Sequence, residues 1–135
     1  MANLIYTHAK EGFLDGSINY LLDPIKAVLI DTAEYTVDDA TDTFLSNIPG
    51  AARIATSAEL TGKTVTDGVA DAADPTFTSV SGPEIGAVVL YKDTGSASTS
   101  RLIAYIDTGT SLPFTPNGGN VIVSWSDGSG KIFGL

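Results

Sequence analysis

The stretch Gly86–Gly109, GAVVLYKDTGSASTSRLIAYIDTG, decides the fold. It holds two apolar runs, Ala87–Tyr91 (AVVLY) and Leu102–Ile106 (LIAYI), joined by a connection rich in Gly, Ser and Thr. Short runs carrying β-branched and aromatic residues and bounded by turn residues are the pattern of strands buried on both faces. A flexible link between two such runs predicts a hairpin at the centre of a β-domain. No residue in it has the look of a catalytic group.

The same reading extends outward. Ile25–Ile30 (IKAVLI) follows the turn Asp23-Pro24 and reads as another buried strand. Thr76–Val80 alternates small polar and apolar residues with period two, as a strand with one wet face does. In Val121–Trp125, residues Val121, Val123 and Trp125 share a face, and Asp127–Gly130 is a tight-turn sequence from which Lys131–Leu135 pairs back as a last strand. Ala51–Ala55 is a further short strand. Phe44, Leu45 and Ile48 are spaced for a short helix with Thr41 or Asp42 as its N-cap, ended by Pro49-Gly50. Near the start, Ala9, Phe13 and Leu14 fit one helical face, but Gly12 and Gly16 limit its length. The expectation is a mainly β fold of about seven short strands, an antiparallel β-sandwich or open β-barrel with long loops, an N-terminal arm and one or two short helices. Residues 1–24 read as the arm and lead-in, and residues 25–135 as a single β-domain.

Composition bounds the chemistry. With 43% hydrophobic and 17% charged residues in 135 positions, there is ample apolar material for one core. Cysteine is absent, which removes disulfides and zinc–thiolate sites. Sixteen acidic residues against seven basic leave a formal charge of −9, and from Asp31 to Asp42 every charged residue is acidic. Neutralising phosphate takes clustered Lys and Arg, so direct contact with nucleic acid or anionic lipid is disfavoured. No apolar stretch approaches the roughly 20 residues of a membrane span, and the opening residues lack a signal-peptide pattern, so a soluble, cytoplasmically made protein is expected.

Candidate sites are few. The one histidine, His8, has no framed nucleophile partner. Gly62-Lys63-Thr64 mimics the end of a phosphate loop, but Ser57 stands where the loop needs glycine. Asp38, Asp39 and Asp42 invite a calcium reading without the ligand spacing of a calcium loop, and Asp67, Asp71 and Asp74 form a looser set of the same kind. The expectation is therefore no catalytic residue, no cofactor and no metal. Tyr6, Tyr20 and Tyr35 are the better candidates for a binding surface. Leu4, Ile5, Tyr6, Phe13 and Leu14 are the candidate partner contacts, for Phe13 and Leu14 in competition with burial in the chain's own core.

Ala87–Gly95 (AVVLYKDTG) followed by Leu102–Gly109 (LIAYIDTG) resembles a family of small structural proteins of tailed bacteriophages. Lys26–Thr36 (KAVLIDTAEYT) and Asp42–Ile48 (DTFLSNI) are similar to that family's lead-in, and Leu112–Gly119 (LPFTPNGG), Trp125 and Lys131–Phe133 to its C-terminal end. Asp107-Thr108-Gly109 and the small-residue stretch Gly50–Ala58 depart from the pattern. The resemblance covers nearly the whole chain, through packing and turn motifs rather than catalytic ones. It implies a virion component on the outer capsid surface: a decoration, or cement, protein that binds the major capsid protein, with a homo-oligomer, trimer favoured, as its form. The alternative is a tail- or fibre-associated β-module that binds a host receptor or another tail protein.

Overall fold

The computed structural model describes residues 4–107, 112–125 and 131–134. Within these described residues ten strands run in the order β1 (Leu4–Ile5), β2 (Ile25–Ile30), β3 (Arg53–Thr56), β4 (Thr64–Thr66), β5 (Val69–Asp71), β6 (Thr76–Phe77), β7 (Ala87–Lys92), β8 (Arg101–Ile106), β9 (Val121–Ile122) and β10 (Phe133–Gly134). One helix, α1 (Thr7–Asp15), lies between β1 and β2, and single 3-10 turns occupy Leu45–Asn47 and Gly50–Ala52.

The apolar runs singled out above form the centre. In the sheet β1-β8-β7-β2-β3 every neighbouring pair is antiparallel. β2 pairs with β7 along its whole length, from Ile25 opposite Lys92 to Ile30 opposite Ala87. β7 pairs with β8, with a register shift after Leu90 that leaves Ile103 as the extra residue. Val28, Leu29, Leu90, Leu102 and Ile103 are fully buried. Continuous apolar runs rather than alternation are what a strand covered on both faces requires. Two smaller antiparallel sheets, β10-β5-β4 and β6-β9, complete the structure. One connected core joins all of it, from Tyr6 to Ile132. Among the described residues the strands close no barrel, and the fold is a mainly β, open sandwich-like one.

Several local expectations are corrected. The described strands number ten rather than seven. The strand expected over Thr76–Val80 stops at Phe77, because Ser79 takes a positive φ of 52°. The Val121–Trp125 strand ends at Ile122, beyond which the Trp125 amide donates to the Asp74 carboxylate instead of to a neighbouring strand. β10 does not pair back on that segment; it pairs with β5. The short helix near residue 45 is a single 3-10 turn, and neither Thr41 nor Asp42 caps it. Asn47 reaches back to accept the amides of Thr43 and Phe44, at 3.0 and 2.9 Å. The short strand expected from Ala51 begins at Arg53. The turn expected at Asp127–Gly130 lies outside the described residues.

Candidate functional site

The N-terminal segment is built onto the sheet. Leu4 and Ile5 pair with Tyr105 and Ala104, making β1 the edge of the five-stranded sheet, and the Tyr6 amide continues the contact by donating to the Ile103 carbonyl. At the next residue the chain turns into α1, where the Thr7 amide donates to the Asp39 carbonyl at 2.9 Å. That bond satisfies one of the free amides every helix start leaves. α1 packs against β8 with Ala9 and Gly12 buried. A Cβ on Gly12 would stand 2.6 Å from Cδ1 of Ile18, so any larger residue there would force the Ile18 side chain to shift.

Beneath this segment is a relay of hydroxyls. Tyr35 donates to Oδ2 of Asp42 at 2.6 Å, and the Tyr6 and Tyr35 hydroxyls are 2.9 Å apart. Because the Tyr35 proton is committed to Asp42, Tyr6 is the donor in the second bond. Burial, reinforced by the Asp42 carboxylate, pushes the Tyr35 phenol far above its ordinary range, and burial does the same to Tyr6. Both therefore stay protonated, as the relay requires. Asp42 also accepts the Asp38 amide at 3.2 Å.

α1 and the chain after it are pinned by charge. Arg101 donates to the carbonyl of His8 at 2.5 Å and Lys92 to that of Ser17 at 2.8 Å. Lys92 also lies 3.2 Å from the Asp23 carboxylate, which accepts the Asn19 amide at 2.7 Å. Lys63 donates to the Asp23 carbonyl at 2.6 Å. Partial burial works against ionisation of Asp23, but the Asn19 amide and Lys92 outweigh it and hold its carboxyl below the usual range. Across the sheet Lys26 pairs with Asp93 at 3.0 Å. Four of the seven basic side chains, Lys26, Lys63, Lys92 and Arg101, are thus engaged within the chain, while Glu34, Asp38, Asp39, Glu59 and Glu84 face solvent. The outward field is acidic.

The candidate contacts divide sharply. Leu4 and Ile5 are partly buried in the sheet edge. Tyr6 is wholly buried and is removed as a surface contact. Tyr20 and Tyr35, each 5% exposed, are likewise core residues, which overturns the reading of these three tyrosines as a binding surface. Phe13 is half-buried against Phe133, with ring centroids 6.0 Å apart, and Tyr20 meets the same ring edge-on at 5.7 Å. Leu14 projects from the helix end, 88% exposed, and Leu21 and Leu22 follow at 48% and 80%. Sequence reasoning named Leu14 and missed the other two. The signal was available: two adjacent leucines before Asp23-Pro24 belong to no strand or helix pattern that would bury them.

The acidic sets serve the chain's own loops. Asp42 and the Asp39 carbonyl bind Tyr35 and α1 as described, and Asp38 accepts the Thr41 amide at 3.3 Å. Asp74 accepts the Trp125 amide, and the Asp71 carbonyl accepts the Tyr20 hydroxyl. Among the described residues no three His, Asp or Glu side chains group as a metal site. Nδ1 of His8 meets Glu11 at 2.6 Å on the helix surface. Among the described residues no helix is long and apolar enough to cross a membrane. No family model matches the chain, and no curated protein matches it.

Proposed function

We propose that the chain is a non-enzymatic virion structural protein, a decoration protein that binds the outer surface of an expanded capsid lattice through the face presented by α1 and the residues after it. The observation that carries this reading is the exposure of Leu14, Leu21 and Leu22, three large apolar side chains close in sequence that stand in solvent on a stretch pinned by Lys63, Lys92 and Arg101. A pre-ordered apolar contact avoids the cost of ordering a loop on binding. The resemblance of Ala87–Gly109 and its flanks to phage head and tail proteins supports the class of partner, and the acidic exterior supports a basic surface on the major capsid protein. A protein that binds only the expanded lattice stabilises it by mass action, and bridging several capsomers adds avidity to weak single contacts.

The test is a triple variant, Leu14→Ser, Leu21→Ser and Leu22→Ser, in co-sedimentation with expanded shells. The variant should retain the parent's circular dichroism and melting temperature and lose shell binding. Undiminished binding by the folded variant refutes the assignment of the face. Copy number in purified particles addresses the role itself: lattice decoration requires hundreds of copies, whereas a few tens assign the chain to the tail.

A further inference from the structure

Among the described residues the sheet β10-β5-β4 has an open edge at β4, its outermost strand. Thr64, Val65 and Thr66 are all exposed, Val65 by 49%. Beyond them Asp67 and Gly68 take φ of 52° and 77°, the positive values of a two-residue hairpin turn with the favoured Asp-Gly sequence. Such a turn closes on a hydrogen-bonded pair, here Thr66 opposite Val69, and along an antiparallel ladder such pairs alternate. At the intervening pair, Val65 opposite Ala70, the backbone groups therefore point away from each other. Ala70 confirms this, since its carbonyl accepts the Ile132 amide on the far side, where β10 lies. Val65 correspondingly turns its N–H and C=O to the open edge.

The sequence around this point is self-complementary. Residues 63–67 read Lys-Thr-Val-Thr-Asp. An antiparallel pairing of two such strands about Val65 sets Val65 against Val65 of the second copy. It also sets Thr64 against Thr66 and Lys63 against Asp67. The two Val65 residues then exchange both hydrogen bonds across a two-fold axis, and at each end Lys63, its ammonium held on its own Asp23 carbonyl, contributes its charge opposite Asp67. We propose that β4 is a two-fold contact between copies of this chain, with the occupant of the open edge being the β4 of a second copy. The contact stands independently of the capsid reading. Three residues a side bury far less than the about 1,000 Å² of a stable interface, so pairing is transient in dilute solution and strengthens when copies are held side by side.

Covalent trapping tests it, because the chain has no cysteine of its own. A hydrogen-bonded antiparallel pair holds its Cα atoms about 5.5 Å apart, within the about 4.4–6.8 Å range of disulfides. Under mild oxidation Val65→Cys should form a disulfide dimer at least about tenfold faster than Ile122→Cys, because pairing raises the effective thiol concentration. Ile122 is the stricter control, being 63% exposed and so easier to reach by random encounter. Mixing Thr64→Cys with Thr66→Cys should give the cross-linked heterodimer in preference to either homodimer. Asp67→Asn, which suits the same turn, should slow trapping of Val65→Cys, as should added salt. Equal rates for Val65→Cys and Ile122→Cys in folded proteins overturn the contact, and no heterodimer preference overturns its register.

Discussion

Replacing Tyr35 by Phe interrogates the relay that ties the first strand and helix to the rest of the molecule. The substitution deletes a 2.6 Å bond to the Asp42 carboxylate and takes away the acceptor of the Tyr6 hydroxyl. Asp42, only partly buried, can turn to water; Tyr6, wholly buried, cannot. A hydrogen bond to a charged group contributes about 1.5–3 kcal/mol, and a stranded buried hydroxyl costs about 1–3 kcal/mol. Tyr35→Phe should therefore destabilise the protein by about 2–4 kcal/mol. Tyr6→Phe removes only the terminal donor and leaves Tyr35 bonded to Asp42, so about 1 kcal/mol is expected. In the double variant no hydroxyl is stranded, and its loss should fall short of the sum of the single losses by about 1 kcal/mol. Urea unfolding followed by Trp125 fluorescence and far-UV circular dichroism measures all three, with equal m-values as the check that only stability has changed. A Tyr35→Phe loss no larger than that of Tyr6→Phe, or strict additivity in the double variant, would refute the direction of the relay.

Two further outcomes follow from the same segment. Asp23 has a carboxyl depressed in the folded state, so its stabilisation is complete above its unfolded pKa near 4 and is lost as pH falls through the lower folded value. Asp23→Asn should lower stability at neutral pH and flatten the acid limb of a stability–pH profile; an unchanged limb refutes the Lys92 and Asn19 contacts as its source. Gly12→Val inserts branched carbon where one Cβ would already meet Ile18 at 2.6 Å, and should cost about 2 kcal/mol, read as a lowered melting temperature. A neutral result would mean that the Ile18 side chain turns aside freely.

The elements legible in the residues were those whose signal is local. β2, β7 and β8 are continuous apolar runs with turn residues at both ends, and a strand covered on both faces imposes that pattern whatever its neighbours are. The acidic balance, too, is a property of composition alone. Short strands carry no such mark: β6, β9 and β10 have two residues each, and their extents are set by Ser79, by the Asp74 carboxylate and by the pairing of Phe133 with Ala70.

The resemblance to phage structural proteins also rests on wording within the chain, and the class of partner it implies is a proposal that names no contact residue. Only the tertiary structure decided which aromatic and aliphatic side chains face water. Tyr6, Tyr20 and Tyr35 occur in settings no less polar than those of Leu14, Leu21 and Leu22, yet the tyrosines are buried and the leucines exposed. The reason is physical: each phenol finds a hydrogen-bond partner inside, in Tyr35, Asp42 or the Asp71 carbonyl, brought near by residues 7 to 51 positions away in sequence. The leucines sit where Gly12, Arg101 and Lys92 hold the chain against the sheet by its backbone, leaving their side chains on the outer side.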